Sequence, residues 1–218
     1  YMILFLLDIN KVKYVESDET KKYFFKKDKL ILTGSKIIKN ELLKHLGYNP
    51  KTFILMKNKY GKPYFLNQYD SKIINFNLSH DNQYVTLIYN DNKEVGIDII
   101  DLEKNKKIIN NLKNTLHPDE LIRFNTNEFF YIWAFKESYY KYIGSGINLD
   151  LLKNISYYSR SIKENKKVKL EDKHKIIKKI ELFKFKKLYF IEINFDKYLI
   201  TITIDDIDKN DLNINFLN

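Results

Sequence analysis

The run Val95-Gly96-Ile97-Asp98-Ile99-Ile100-Asp101 sets the strictest condition on how this chain can fold. It is a near-continuous apolar, β-branched strand with a carboxylate at its centre. Strands of this kind lie inside sheets covered on both faces. A carboxylate carried into such a place needs an ion-pair partner, hydrogen-bond donors or a metal ion, because an isolated buried charge is very costly. Taken alone, Asp98 fits a metal ligand or a cap or strand-end group. In each case the fold has to bring a donor or a cation to it.

The rest of the chain supplies the surroundings. Met2 to Ile9 is apolar and reads as a buried first strand, with Met2 expected to be the natural start and Tyr1 an added residue. A mixed segment, Lys11 to Lys29, follows. A helix is expected over Ser35 to Leu46, with Ser35 as N-cap, Ile38, Leu42 and Leu46 on one face, and Gly47 and Pro50 beyond its end. Thr52 to Met56 reads as a short strand, and Lys59 to Tyr64 as a turn. Ile73 to Leu78, Tyr84 to Tyr89 and Glu94 to Ile100 are strand-like, the last two forming a hairpin through Asn90 to Lys93. Glu128 to Ile143 carries the strongest helical pattern, stopped by Gly144 and Gly146. Lys163 to Lys179 is rich in lysine. Lys187 to Ile204 reads as a second hairpin turning near Asp196-Lys197, and the polar tail after Asp205 is expected to be loose. A helix followed by a hairpin thus occurs once in each half, about 100 residues apart, a hint of two similar halves.

Composition narrows the chemistry. The 218 residues are 44% hydrophobic and 30% charged, which suffices for a packed core under a charged surface. The absence of cysteine excludes a disulfide scaffold, a Cys-ligated zinc or iron–sulfur site and a thiol nucleophile. No run approaches the roughly 20 apolar residues of a membrane helix. No secretory pattern is recognised either, so a cytoplasmic protein with no membrane partner is expected. Lys and Arg number 38 against 28 Asp and Glu, a formal charge of +10, and only Arg123 and Arg160 are arginine. Lysine attracts anions without the bidentate geometry that reads bases and phosphates. Most of this charge is a solvated surface, and the remainder suits acidic partners or phosphate-bearing substrates.

Four segments carry chemistry. On a helix, Trp133, Glu137 and Lys141 share one face, where Glu137 and Lys141 read alone make a surface ion pair. Phe76-Asn77-Leu78-Ser79-His80 ends an apolar strand in a Ser-His pair. Gly61-Lys62-Pro63 is a rigid turn that can aim a lysine at an anion. Gly96-Ile97-Asp98 is the strand acid.

In order and spacing these segments resemble the Sfp-type 4′-phosphopantetheinyl transferases. That family carries a Gly-Lys-Pro turn, Asn-hydrophobe-Ser-His, Gly-hydrophobe-Asp-hydrophobe-Glu and Trp-x-x-Lys-Glu-x-x-x-Lys. This chain has Gly61-Lys62-Pro63, Asn77-Leu78-Ser79-His80, Gly96-Ile97-Asp98 and Trp133-Ala134-Phe135-Lys136-Glu137-Ser138-Tyr139-Tyr140-Lys141, followed by Gly144-x-Gly146.

The resemblance implies an α+β monomer of two similar, pseudo-twofold lobes, 1–103 and 104–218, packed together with the active site at their interface. It implies transfer of the 4′-phosphopantetheine arm of coenzyme A to a serine of an acidic apo acyl or peptidyl carrier protein. Adenosine 3′,5′-bisphosphate is released, and Mg²⁺ is required, with Mn²⁺ in its place left open. By the same match Asp98 and Glu137 are the metal ligands, and Glu137, Lys141 and Asp98 form the catalytic group. Lys62, Ser79, His80 and Lys141 attend the coenzyme A phosphates, with Lys26 and Lys27 in the basic cluster of the first lobe. Two positions depart from the family pattern. Ile100 stands where a second acid is usual, on the same strand face as Asp98, while Asp101 faces the other way. Ile31 stands where an arginine is expected.

Two other readings account for part of the chain. A non-catalytic coenzyme A or carrier-binding scaffold would make Ile100 the mark of lost metal chemistry. A basic nucleic-acid-binding protein would explain the charge and the tyrosines but leaves the spaced acids unexplained. The leading reading has no nucleic-acid partner.

Overall fold

A computed structural model describes residues 1–14, 16, 18–91, 93–104, 109, 112–146, 148–162, 177–206 and 212–217. The chain is mixed α+β, as the motifs imply. Strands β1 (Met2–Asp8), β2 (Phe53–Lys57), β3 (Pro63–Asn67), β4 (Ile73–Asp81) and β5 (Tyr84–Asn90) lie in one sheet with the last strand, β11 (Leu212–Leu217). Strands β6 (Val95–Asp101), β7 (Ser161–Ile162), β8 (Ile177–Phe185), β9 (Leu188–Phe195) and β10 (Tyr198–Ile204) form the other. The orders are β11-β1-β5-β4-β3-β2 and β6-β10-β9-β8-β7. With β11 set aside, the two orders are the same, and in each the first strand precedes a long helix: α1 (Lys26–His45) and α2 (Phe129–Ile143).

Period-two patterning explains the layers. Met2, Leu4 and Leu6 of β1 join Val95, Ile97 and Ile99 of β6 and Ile200, Ile202 and Ile204 of β10 in one core between the sheets. The alternate residues Ile3, Phe5 and Leu7 pack beneath Ile38, Leu42 and Leu43 of α1. On the second sheet, Phe183, Phe185 and Phe190 pack with Phe135 of α2. Each sheet therefore has a helix outside and shared core inside, and β1, covered on both faces, is buried from Met2 to Leu7.

Three expectations are corrected. The first helix begins at Lys26 rather than at a Ser35 N-cap. Gly34, which weakens a helical pattern, lies inside it, where a Cβ would stand 3.3 Å from Ile9 Cγ2 and Leu7 Cδ2, so the glycine marks close packing on β1. Tyr84 to Ile100 is not a hairpin: β5 has β4 and β1 on its two edges, so β6 pairs with β10 in the other sheet. The tail is not wholly loose, since Leu212–Leu217 pairs in parallel with β1 from Met2 to Leu7. The expected hairpin at Lys187 to Ile204 is present as β9 and β10, turning at Asp196 with φ 47°. In the lysine-rich stretch, residues 163–176 lie outside the described residues, and Ile177 opens β8. No helix among the described residues is long and apolar enough to cross a membrane.

Candidate active site

β6 is an edge strand of its sheet, and an edge leaves a row of backbone groups without ladder partners. Alternate side chains of β4 fill that row. Ile97 N–H donates to Asn77 Oδ1 (3.3 Å), Ile99 N–H to Ser79 Oγ (3.2 Å) and Asp101 N–H to Asp81 Oδ2 (2.8 Å), a constant offset of 20 residues. The two sheets are thus stitched by polar side chains, and the stitching delivers a donor to the strand acid: Ser79 Oγ donates to Asp98 Oδ1 at 2.8 Å.

Helix α2 crosses the outer face of β6, where Gly96, Asp98 and Ile100 point. The approach depends on the missing side chain at Gly96. A Cβ there would stand 2.0 Å from the Ser138 carbonyl oxygen and 2.5 Å from the Tyr142 nitrogen. Two residues along, Asp98 is only 5% exposed. Lys141 Nζ donates to Asp98 Oδ1 at 2.6 Å and to Ser79 Oγ at 3.1 Å, and lies 3.6 Å from Glu137 Oε2. Asn77 Nδ2 fastens the same turn by donating to the Lys141 carbonyl at 3.3 Å. The helix then stops at Gly144, whose φ of 70° is the left-handed conformation that favours glycine at a C-terminus. Gly96→Ala is expected to cost about 3 kcal/mol, because backbone rather than a flexible side chain must move. In a thermal scan this is a Tm lower by roughly 6–12 °C for a chain of this size.

Burial first, and then the charge of Asp98, push the Glu137 carboxyl up from 4.5 to about 7. Burial works against the Lys141 ammonium, but Asp98 and Glu137 outweigh it and hold its pKa above the usual lysine value. His80, at the rim, is held below the ordinary histidine value by desolvation and then by Lys141.

Two cavities meet at Leu78 and Lys141, which line both. One, of about 340 Å³, is walled by Ser79, His80, Asp98, Ile100, Trp133 and Glu137. The other, of about 220 Å³, is walled by Gly61, Lys62, Asn77, Tyr140 and Gly144. The structure therefore gathers Ser79, His80, Asp98, Glu137 and Lys141 around one space, with Trp133 on the helix face expected for it. Lys62 belongs to the neighbouring space. Its Nζ is 2.6 Å from Glu94 Oε2 and 3.4 Å from the carbonyl of Tyr142, near the C-terminal end of α2, where a cation is favoured. Lys27 donates to Asn82 Oδ1 at 2.9 Å, and Lys26 is exposed on the same first turn of α1. Asp101 is turned to Asn82 and Lys197, away from Asp98. Ile100, 5% exposed, packs with Ile109, Leu116, Phe129 and Phe130.

Some contributors escaped the sequence reading. Lys104 lines the larger cavity and pairs with Asp81 Oδ1 at 2.8 Å. Lys136, inside the helix motif, turns its back on the site. Its Nζ is buried, 2.6 Å from Glu120 Oε2 and 3.0 Å from the Thr115 carbonyl. Only the one-residue offset between Lys136 and Glu137, about 100° around the helix, signalled this.

Asp98 and Glu137 oppose one ammonium, and burial, then the Asp98 charge, make ionised Glu137 costly there. Among the described residues there is no group of three or more His, Asp or Glu side chains that would cage a metal. Two carboxylates beside open space suit a hard cation such as Mg²⁺, which keeps several waters and shares phosphate oxygens.

Comparison with known proteins places the chain in a family. A family model described as 4′-phosphopantetheinyl transferase, N-terminal, matches residues 4–92. One described as the 4′-phosphopantetheinyl transferase superfamily matches residues 94–203. Among curated relatives, a phosphopantetheinyl transferase of Thraustochytrium sp. is 28% identical over 155 residues, covering 62% of this chain and 54% of that protein. A 4′-phosphopantetheinyl transferase of Bacillus subtilis is 29% identical over 145 residues, covering 62% and 61%. The 4′-phosphopantetheinyl transferase gsp of Aneurinibacillus migulanus is 32% identical over 128 residues, covering 55% and 50%. The chain thus spans between half and about three-fifths of these relatives. The second family match runs through β6, α2 and β10, the elements that bring Asp98, Glu137 and Lys141 to one cavity, and by it this chain belongs to the 4′-phosphopantetheinyl transferase superfamily.

Proposed function

We propose that this chain transfers the 4′-phosphopantetheine arm of coenzyme A to a serine of an apo acyl or peptidyl carrier protein, with Mg²⁺, and releases adenosine 3′,5′-bisphosphate. The observation that carries the reading is the cluster of Asp98, Glu137 and Lys141 at one cavity, where the helix and the strand acid meet. In the reaction the serine Oγ forms a bond to the β-phosphorus of coenzyme A, and the bond from that phosphorus to the bridging oxygen breaks. The electron pair leaves with adenosine 3′,5′-bisphosphate, and the serine proton passes to a base.

The residues divide these tasks. Lys141, kept cationic by the two acids beside it, offers positive charge to the diphosphate and to the leaving group. Glu137 is placed to take the serine proton; its carboxyl is raised to about 7 without a cation, and a bound cation would lower it. Asp98 and Glu137 would hold Mg²⁺, or Mn²⁺ in its place, which would supply further charge neutralisation of the diphosphate. Ser79 orients Asp98, while His80, Lys62, Lys26 and Lys27 supply polar and cationic groups for the phosphates of coenzyme A. The site lies where the two sheets meet, Ser79 and His80 coming from β4 and Asp98, Glu137 and Lys141 from β6 and α2, in a monomeric cytoplasmic enzyme. The formal charge of +10 favours encounter with an acidic carrier.

The test is intact-mass analysis of an apo acyl carrier protein incubated with this chain, coenzyme A and Mg²⁺. A gain of roughly 340 Da that is lost with a chelator is the expected result for metal-assisted transfer. No gain on several unrelated apo carriers, with coenzyme A still bound, would instead favour a non-catalytic scaffold. Ile100 allows a second check. Because it walls the same cavity as Asp98 and Glu137, Ile100→Glu is expected to lower the Mg²⁺ concentration for half-maximal transfer by about tenfold. An unchanged Mg²⁺ titration would place that side chain outside the cation's reach.

A further inference from the structure

We propose that Thr201 is a positioning residue for Asp98: its hydroxyl, which makes no hydrogen bond among the described residues as the side chain stands, turns about the Cα–Cβ bond to donate to the carboxylate oxygen that Ser79 and Lys141 leave free. The inference rests on the reading of Asp98 as a cation ligand. In the antiparallel ladder between β6 and β10, Thr201 is the direct partner of Asp98. Side chains so paired leave the sheet on one face with Cβ atoms about 5 Å apart. That face is the one beneath α2.

Thr201 is 0% exposed, and among the described residues its Oγ1 is a buried polar atom without a hydrogen-bond partner. A buried hydroxyl left in that state costs about 1–3 kcal/mol, and valine would fill the same space without the cost. The neighbouring Thr203 shows how this face of β10 is used: its hydroxyl bonds to Ser138 Oγ of α2 at 2.9 Å. Thr201 lies one step along the same face, beside the strand acid.

Asp98 has the complementary need. Its Oδ1 receives both Ser79 and Lys141, at 2.8 and 2.6 Å, and among the described residues no hydrogen bond reaches its Oδ2. The other neighbour of Thr201 across the ladder is Glu192. That carboxylate is already held by the Arg160 guanidinium, which is stacked against the rings of Tyr157 and Phe183. Each acid thus has one oxygen held, and of the two it is Asp98 that lines the cavity, where a donor would bear on a bound cation. A donor behind a ligating carboxylate fixes which oxygen faces the cation, and such outer partners typically change metal affinity by about 10–100-fold.

The experiment is calorimetric titration of Mn²⁺ into the full chain with coenzyme A present and no carrier. It compares the wild type with Thr201→Val, Thr201→Ala and Thr201→Ser, with Tm measured alongside. The expected result is Mn²⁺ binding weaker by about 10–100-fold in both hydroxyl-free variants and restored by serine to within a few-fold of wild type. Wild-type Mn²⁺ affinity in Thr201→Val, or equal weakening in the serine and valine variants, would overturn the proposal and leave Thr201 a packing residue. A wild-type chain that binds no Mn²⁺ would overturn the cation reading of the site, and this proposal with it.

Discussion

Glu137→Gln is expected to reduce phosphopantetheine transfer by about 10³-fold, the range spanned by loss of a positioned base, and to make the cation-free protein more stable at neutral pH. The amide keeps the shape of the side chain and one acceptor oxygen, but it neither takes a proton nor offers anionic charge. The stability effect has a definite sign. Burial and Asp98 raise the folded-state pKa of Glu137 to about 7, above its ordinary 4.5. The unfolded chain therefore ionises first as pH rises. Stability that the wild type holds below about pH 4.5 is lost progressively up to about pH 7 and stays lost above it. Glutamine has no such loss. In Tm measurements from pH 4 to 9 without divalent cation, the two curves should coincide at the acid end, separate in favour of the variant between about pH 4.5 and 7, and stay apart above that. Parallel curves would mean that Glu137 is not under this electrostatic load, and near-normal turnover would remove it from the chemistry.

Lys136→Met should lower stability by about 4 kcal/mol, the cost of breaking a buried ion pair. For a chain of this size that is a fall in Tm of roughly 8–16 °C. Lys136 and Glu120 are 1% and 0% exposed at the side chain and 2.6 Å apart. Glu120 also accepts from the backbone of His117 at 2.8 Å and of Tyr157 at 2.7 Å. The pair thus ties the middle of α2 to the segment entering it and to the turn that follows it. Methionine would leave the Glu120 carboxylate buried with donors but no counter-charge. Adding Glu120→Gln removes that charge and should recover part of the loss. Well below the Tm, transfer by Lys136→Met should stay within about tenfold of wild type, since the ammonium points away from the cavity. A loss as large as that of Glu137→Gln, with Tm unchanged, would place Lys136 in the chemistry instead.

Much of the second sheet and its helix was legible in the chain. Tyr198 to Ile204 alternates, and Trp133, Glu137 and Lys141 fall one turn apart, so strand, helix and active face follow from periodicities of 2 and 3.6. The first turns of α1 were hidden because Gly34 interrupts the pattern for a reason that lies on another element, the side chains of Leu7 and Ile9. β11 was hidden because its signal is weak and its partner, β1, stands at the opposite end of the chain.

Local pattern therefore settles which residue types sit on which face of each strand and helix, and the motif spacing settles the family. Partnership across the chain is a different kind of information. That β6 leaves β5, takes β10 on one edge and has its other edge capped by Asn77, Ser79 and Asp81 follows from a competition for sheet edges that no local window contains. That competition places Ser79 and Thr201 beside Asp98. The missing Cβ of Gly96 lets α2 approach closely enough for Lys141 to reach the same carboxylate. Contact between residues distant in sequence is set by packing and backbone pairing, and only the folded chain brings those into being.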